Sequence, residues 1–428
     1  MISDIVQEGI SKGFSSVEAS KEKVTITEYV KRNNILTNHL SNLQKIYCRA
    51  MYDYGDPVTF VLSISDKKSI QNTFKLISKS YPSSGKENFG NKLPSKVGKV
   101  KIEIYDILFE SIGIDDFMEL SDEIDENVLN FPKLKINAVT FSKRCKKFYL
   151  TNSKGLNSKY RKTLFSVSLK MSLNGSSIDL SDNRVLFNDL EPFKLVSRGY
   201  TLLESLTDKS PELRKFNDLV FSPESSALIL KVFSKYFLPK NNKVMGTVNY
   251  PTVLNISDDP MLNFGTGSVP FDDEGIQRGK TNLIKKGTFL SSITDLRTSF
   301  ENNMQPTGNG FRRGGDYPVP HFTNLYIHPS VVSVNSILRD ITDTILISLI
   351  KPISSKNGEH LFSAYGYKYS DGNRGEPVHF FISTTFQDFL LNIERISKEI
   401  RFFHSVHSTG SPYLLLKSKK TGDRIVKI

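Results

Sequence analysis

Carboxylates and glycines are concentrated between Asn255 and Leu290. Neighbouring carboxylates shift each other's pKa, so this group could act in general acid–base hydrolysis or bind a cation. Aspartate beside proline or glycine also caps turns and helix ends, and adjacent strand residues face opposite sides. We therefore favour a structural role and keep hydrolysis as an alternative. The segment contains Asp258, Asp259, Asp272, Asp273, Glu274, Gly265, Gly267, Gly275, Gly279 and Gly287.

A second glycine-rich segment, Thr307 to Gly315, carries Asn309, Arg312 and Arg313. It resembles a phosphate-binding loop only superficially, because the terminal Lys-Ser/Thr is missing and no strand-then-helix frame surrounds it. The pattern instead predicts a glycine hairpin that carries two cations towards a carboxylate.

The histidines and cysteines show no ligand spacing. Six of the seven histidines follow Pro320, and His404 and His407 are three residues apart in a predicted loop or strand, where they would point to opposite faces. A zinc site needs three or four ligands at defined spacing. Cys48 and Cys145 stand far apart, which argues against a disulfide scaffold. No catalytic constellation can be assembled, and we predict no metal site in this chain.

Elements that would position these residues follow from periodicity. In the first half, alternation predicts strands at 24–30, 57–64, 99–108, 135–141 and 163–172. Helices are predicted at 67–80 and 114–128, so this half has an α/β character. The second half is rich in strands and turns. Its helices begin at Ser222-Pro223 and at Thr385, and the stripe of the second runs through Ile393 and Ile396. We predict an α+β protein with an N-terminal domain, 1–210, and a β-rich, antiparallel C-terminal domain, 211–428.

Bulk properties set further limits. A length of 428 residues predicts two domains. The net charge of +12 is dispersed, which disfavours a nucleic-acid surface and suits an acidic protein partner equally well. The N-terminus lacks a signal-peptide pattern, and the longest apolar run, Thr344 to Ile350, is too short to span a membrane. We expect a cytoplasmic protein.

Four segments resemble the TldD/PmbA family: Ser222 to Phe237, Asn255 to Leu290, Thr307 to Ile327, and Ser411 to Leu416. The turn Thr151 to Leu156 also fits that family's N-terminal domain. The resemblance covers most of the chain and is more specific in the second half. It implies a two-domain fold and one of two kinds of subunit.

One kind carries an HExxxH helix and a distant cysteine that bind zinc and cleave peptides. The other, called TldE or PmbA, lacks the ligands and pairs with the first. The resemblance places Lys231, Val232 and Tyr236 where the zinc subunit has His, Glu and His. The segment Ser222 to Phe237 contains no histidine, and the second half contains no cysteine. The chain therefore resembles the non-catalytic type.

The resemblance implies a silent subunit of a heterodimeric peptidase, with zinc in the partner and none here. The substrates would be unfolded peptides or the leader peptides of modified peptide natural products. Asp272, Asp273, Glu274, Asn309, Arg312 and Arg313 would line the substrate cavity or the interface. The alternatives are a homodimeric peptide-binding or regulatory protein and a carboxylate-dependent hydrolase. Ser383-Thr384-Thr385 and Pro329-Ser330 depart from the family pattern, which suggests a divergent member.

Overall fold

The computed structural model describes residues 2–33, 35–62, 66–80, 88–207, 209, 218–277, 279–313, 316–342, 344–370, 372–404 and 407–417. The predicted domain boundary between residues 210 and 211 lies outside these ranges. So do Gly314 and Gly315 of the predicted glycine hairpin.

The first half is built on one six-stranded sheet in the order β3-β2-β1-β4-β5-β6. Every pair of neighbours is antiparallel, so the predicted α/β character consists of helices packed on an antiparallel sheet, without parallel crossover units. The strands are β1 (Ser16–Arg32), β2 (Ile35–Met51), β3 (Val58–Leu62), β4 (Lys135–Asn152), β5 (Asn157–Leu173) and β6 (Ser176–Arg184). The helices are α1 (Ile2–Ser11), α2 (Lys67–Ser80), α3 (Ile114–Val128) and α4 (Pro192–Ser205).

Alternation along β5 explains how this sheet holds its helices. Val167, Leu169 and Met171 are buried at every second position, facing α3 and α4. Helix α4 covers them with Leu195 and Leu202, because its apolar residues recur at helical spacing. The predicted helices at 67–80 and 114–128 are confirmed to the residue as α2 and α3.

The second half contains two larger sheets and a short hairpin. One sheet has the order β10-β9-β8-β13-β19-β18, the other β16-β15-β14-β7-β20-β17, and β11 pairs with β12. Most pairs are antiparallel, as predicted, but β13 with β19 and β14 with β7 are parallel. The strands are β7 (Asp218–Phe221), β8 (Ile256–Asp258), β9 (Thr281–Lys285), β10 (Thr288–Phe289), β11 (Gly310–Phe311), β12 (Val319–Pro320), β13 (Asn324–Ile327), β14 (Thr344–Lys356), β15 (Glu359–Ser370), β16 (Asn373–Thr385), β17 (Ile393–Ile396), β18 (Arg401–His404), β19 (Ser408–Ser411) and β20 (Leu414–Lys417).

Helix α5 (Pro223–Phe233) lies in the core between these two sheets. Ser222 caps it by accepting a hydrogen bond from the Ser225 amide, with proline in its first turn, as the sequence predicts. Ile229 and Phe233 are fully buried against both sheets. The other helices of this half are α6 (Leu296–Glu301), α7 (Val334–Arg339) and α8 (Phe386–Leu391).

Three local predictions are wrong. Residues 99–108 form no strand, because their backbone groups bond to single partners and join no ladder: the Ile104 carbonyl accepts from the Thr163 amide and the Glu103 carbonyl from the Phe264 amide. Ile393 and Ile396 belong to β17, because α8 ends at Leu391 and the next residues pair with β20. The helix from Ser222 becomes a 3-10 turn over Ser234–Phe237.

Among the described residues, no helix is both long enough and apolar enough to cross a lipid bilayer.

Candidate functional site

Asp272 organises the turn at the centre of the acidic segment. Its Oδ1 accepts hydrogen bonds from the amides of Glu274 at 3.0 Å and Ile276 at 2.8 Å, and its Oδ2 accepts from Gly310 at 2.8 Å. Asp273 continues the contact, since its Oδ2 accepts from the Arg312 amide at 2.8 Å. Both carboxylates therefore satisfy backbone donors of a tight turn, the role that the turn chemistry favours.

Glu274 joins this turn to the N-terminal sheet. Its Oε1 accepts from Arg49 Nη1 at 2.5 Å, and its Oε2 accepts from the Leu296 amide at 2.7 Å, the first residue of α6. Arg49 lies on β2 and bonds through Nη2 to Glu18 Oε2 on β1 at 3.0 Å. The Arg49 and Glu274 side chains are fully buried.

Arg312 completes the network from the glycine hairpin. Its Nη2 donates to Glu18 Oε1 at 2.5 Å, and its Nη1 donates to the Asp273 carbonyl at 2.9 Å. Two arginines thus alternate with two glutamates, Glu274–Arg49–Glu18–Arg312, across the junction between the two halves of the chain. A buried charge is tolerated when it is paired and hydrogen-bonded, as each of these is. We call these four residues the junction network.

Asp258, Asn309 and Thr323 form a second buried polar group. Asp258 accepts from Asn309 Nδ2 at 2.7 Å, from the Thr323 amide at 2.9 Å and from the Thr323 hydroxyl at 2.9 Å. Asn309 also donates to the His321 carbonyl at 2.9 Å. The predicted residue Asn309 therefore fixes the start of the hairpin onto β8.

Burial changes the acidity of these carboxyls. Burial raises the pKa of Asp272 well above its usual range, and the Glu274 carboxylate adds to that rise. Burial likewise raises the pKa of Glu274 to about 7, although Arg49 favours its charged form. The pKa of Asp258 rises to about 6 through burial, opposed by its bonds from Asn309 and Thr323. Desolvation is the common cause.

The glycine hairpin approaches the acidic turn so closely that only glycine fits at residue 310. A Cβ at Gly310 would overlap the Glu274 carboxylate. The two arginines of the hairpin then diverge. Arg312 points to Glu18, as the predicted delivery of a cation to a carboxylate requires, whereas Arg313 makes no ion pair with a described residue. The Arg313 guanidinium lies 5.5 Å from the centre of the Phe311 ring.

Arg313 lines a cavity of about 320 Å³ between the N-terminal sheet and the glycine hairpin. We call it the junction cavity. Strands β4 and β5 contribute Lys146 and Lys162 to its wall, and β18 contributes His404. Asp273 and Arg312 also reach the wall, while Asp272, Glu274 and Asn309 do not. The structure thus brings the six predicted residues together, but only three of them face an open space.

The helix positions implied by the family resemblance do not fit a zinc ion. Val232 packs on the apolar core, and the Tyr236 hydroxyl lies 3.3 Å from His360 Nε2, with its ring stacked on Phe386. Lys231 is in the last turn of α5. A lysine, a valine and a tyrosine cannot replace two imidazoles and a general base. Within the described ranges, no group of three His, Cys, Asp or Glu side chains could hold a metal ion.

Of the remaining histidines, His407 is near enough to Lys231, His321 and His404 for their charges to act on it. The ring centres of His321 and His407 are 5.6 Å apart. Neither ring nitrogen of His407 has a hydrogen-bond partner among the described residues. Burial lowers the pKa of His407 to about 3, with further contributions from His321 and Arg313. Burial lowers the pKa of His321 and of His404 to about 4. These imidazoles are therefore neutral at neutral pH.

Sequence reasoning missed Glu18, Arg49 and Lys162. The first two stand inside strand patterns of small and apolar residues, Ser16 to Ser20 and Tyr47 to Met51. A charged residue at a buried strand position must find a partner, which is the signal that could have identified them. Lys162 carries no such signal, because β5 has polar residues on both sides of it.

The comparisons with known proteins agree with this architecture. A family model described as the PmbA/TldA metallopeptidase C-terminal domain matches residues 218–422. A metalloprotease of Methanothermobacter thermautotrophicus is 26% identical over 152 residues, which cover 35% of this chain and 33% of that protein. A zinc metalloprotease TldD homolog of Saccharolobus solfataricus is 28% identical over 183 residues, 40% of this chain and 41% of that protein. The chain therefore aligns with between a third and two fifths of the length of these curated relatives.

Solved structures share the fold over nearly the whole chain. TldE from Thermococcus kodakarensis superposes with a TM-score of 0.82 at 16% identity, covering 97% of this chain and 98% of that one. A protein described as a modulator of a DNA gyrase, from Thermotoga maritima, gives a TM-score of 0.80 at 19% identity, covering 97% of both chains. At these identities the likeness establishes the fold alone.

Residues 218–422 thus match the C-terminal domain model of the TldD/PmbA metallopeptidase family, and the named relatives agree with that match.

Proposed function

We propose that this chain is a catalytically silent, TldE-like subunit that pairs with a zinc-binding, TldD-like subunit to form a peptidase. The observation that carries the proposal is the set of side chains on α5 and the turn that follows it. Val232 and Tyr236 are committed to the core and to His360, so this segment cannot bind zinc. The partner would supply the metal, the general base and the reactive water.

The match of the C-terminal half to this family and the fold shared with TldE support a role beside a peptidase. Among the relatives, one is named a zinc metalloprotease TldD homolog and another, from Buchnera aphidicola, a metalloprotease PmbA homolog. In the proposed pair, this chain would close the substrate cavity around an unfolded peptide or a leader peptide. An extended peptide can be held at a sheet edge by backbone hydrogen bonds, which give affinity without sequence choice.

The carboxylate-dependent hydrolase is the weaker alternative. Asp258, Asp272 and Glu274 are fully buried and hold backbone amides, Asn309 or Arg49, so their oxygens do not reach the junction cavity. Of the acidic segment, Asp273 lines that cavity, and Glu22 of β1, which also lines it, is paired with Lys146. No second carboxylate of the acidic segment faces the same space to share acid and base roles with it.

The test is co-purification of this chain with an HExxxH-bearing family member from the same organism. Zinc content and cleavage of an unfolded peptide are measured for each subunit alone and for the mixture. We expect a 1:1 complex with one zinc that is active only when paired. Zinc-free hydrolysis by this chain alone would contradict the proposal, and a stable homodimer that ignores the second protein would favour the peptide-binding alternative.

A further inference from the structure

The junction cavity contains more positive than negative charge. Lys146 is neutralised by Glu22, whose Oε2 lies 2.8 Å from its Nζ, and Arg312 is neutralised by Glu18. Lys162, Arg313 and Arg144 also line the cavity and make no ion pair with a described residue. Asp273 can offset one of these three, which leaves a surplus of two cations when Lys162 is protonated.

All three unpaired cations lie near enough to His404 for their charges to act on it. Lys162 Nζ is held by the carbonyls of Thr266 at 2.7 Å and Ser268 at 2.8 Å, neither of which carries a charge to balance it. The pKa of Lys162 is lowered to about 7, chiefly by burial and also by the nearby charges of Arg313 and Lys146. The charges of Lys162, Arg313 and Arg144 add to the effect of burial in lowering the pKa of His404. Its Nδ1 is buried without a partner among the described residues.

The rest of the lining suits an organic group and not a bare inorganic ion. Tyr160, Phe311 and Val269 form apolar parts of the wall. A volume of about 320 Å³ lies within the range of ligand-binding pockets. A guanidinium presents its donors in a planar fork that matches a carboxylate.

We propose that the junction cavity binds the carboxylate of a peptide, with Arg313 and Lys162 as the charged partners and His404 beside them. The carboxylate would neutralise the surplus charge, and the apolar wall would cover the residue that carries it. The peptide character of the ligand rests on the proposed function, whereas the anion site rests on the cavity alone. The carboxylate can come from the C-terminus of the peptide or from an acidic side chain.

The experiment uses the purified full-length chain and three labelled, unstructured octapeptides without basic residues. The first has a free C-terminal carboxylate and no acidic side chain, the second is its C-terminal amide, and the third is the amide with one internal glutamate. Affinities are measured by fluorescence anisotropy. We expect one carboxylate-bearing peptide to bind at least about tenfold more tightly than the neutral amide, because a charge-assisted bond to Arg313 is gained. The peptide that does so identifies the source of the carboxylate.

Arg313→Gln should remove this preference, and Arg144→Gln should reduce it. Arg339→Gln, at an exposed arginine of α7 outside the cavity, is the matched control and should leave it unchanged. Circular dichroism and thermal unfolding establish that each variant is folded. Equal affinity for all three peptides, absence of saturable binding, or a preference that survives Arg313→Gln in a folded protein would overturn the proposal. Because the isolated chain is used, a failure to pair with a zinc subunit would not alter these results.

Discussion

At the scale of single residues, the carboxylates of the acidic segment are structural groups whose burial changes their acidity. Asp258 receives three hydrogen bonds, and no cation among the described residues is bonded to it. Its raised pKa therefore reflects desolvation of the charged form more than any opposing interaction. Glu274 differs, because Arg49 contacts it directly and favours the charged form. Position within the same short segment thus decides how each carboxyl titrates.

Asp258→Asn should change the pH dependence of stability. A folded-state pKa of about 6, against an ordinary value of 3.8, means that the protonated form of Asp258 is favoured by folding. Its contribution to the free energy of unfolding is complete below about pH 4 and is lost as the pH rises through about 6. The stability of the wild type relative to the variant should fall by on the order of 3 kcal/mol over that window.

Urea unfolding at several values between about pH 4 and about pH 7 measures this difference. A difference between wild type and Asp258→Asn that is constant across the window would contradict the raised pKa. The variant also alters the hydrogen bonds to Asn309 and Thr323. That change would shift the difference in unfolding free energy by the same amount at every pH and would leave the expected fall with pH in place.

At the scale of elements, the acidic turn and the glycine hairpin act as one unit. The Asp272 carboxylate accepts a hydrogen bond from the Gly310 amide, and the Asp273 carboxylate accepts one from the Arg312 amide. The Asp273 amide in turn donates to the Gly310 carbonyl at 2.9 Å. This pairing resembles a short ladder between two loops. It fixes where Arg312 and Arg313 project, so the hairpin determines which arginine enters the junction network and which lines the junction cavity.

Gly310→Ala should separate this unit. The added methyl group would overlap the Glu274 carboxylate, which Arg49 and the Leu296 amide hold in place. We expect a loss of about 1–3 kcal/mol in the free energy of unfolding, typical of overpacking at a site that cannot relax.

Gly279→Ala is the matched control for that variant. Gly279 is exposed, its Cβ would meet no atom within 4 Å, and its change should stay within about 0.5 kcal/mol. Both variants are compared by urea unfolding followed by circular dichroism. Equal stabilities for the two variants would show that the hairpin can shift to accommodate the methyl group without loss of stability.

At the scale of the whole molecule, the junction network joins strands β1 and β2 to loops more than two hundred residues away. Glu18 and Arg49 come from the N-terminal sheet, and Glu274 and Arg312 come from the second half. Apolar contacts reinforce the junction, since Phe148 and Leu150 of β4 cluster with Phe271. Charges buried with this geometry favour one arrangement of the two halves over others, because any slip would leave an unpaired ion.

We therefore expect the two halves to unfold together. Hydrogen exchange measured by mass spectrometry along a urea series should show β5 and β15 losing protection at the same urea concentration. Arg49→Met should lower the free energy of unfolding by about 3–5 kcal/mol, because Glu18 loses one of its two arginines and Glu274 loses the arginine bonded to its carboxylate.

The double variant Arg49→Met/Glu274→Gln should recover part of that loss, since one uncompensated charge is removed. Arg339→Met, at an exposed position, is the control and should have little effect. Separate transitions for β5 and β15 in the wild type would contradict the coupling of the two halves.

Much of the local structure could be predicted from the sequence. The sequence predicted helices α2 and α3 to the residue. It also predicted that α5 begins at Ser222-Pro223, because capping and apolar spacing act over a few residues. The strand predicted at 99–108 failed because alternation cannot indicate whether a neighbouring strand offers a ladder. The stripe through Ile396 was misassigned to a helix, because Leu414 to Leu416 pair with that segment from a distance in sequence.

The candidate site shows the same division. Turn chemistry by itself indicated that Asp272 and Asp273 organise loops, and the absence of histidine from Ser222 to Phe237 excluded zinc ligands on α5. Residue type and short spacing determine such properties. Only the tertiary structure decided that Arg312 joins Glu18 and that Arg313 lines a cavity with Lys162. These contacts join residues on different sheets, and their energies depend on burial and pairing, which no local pattern specifies.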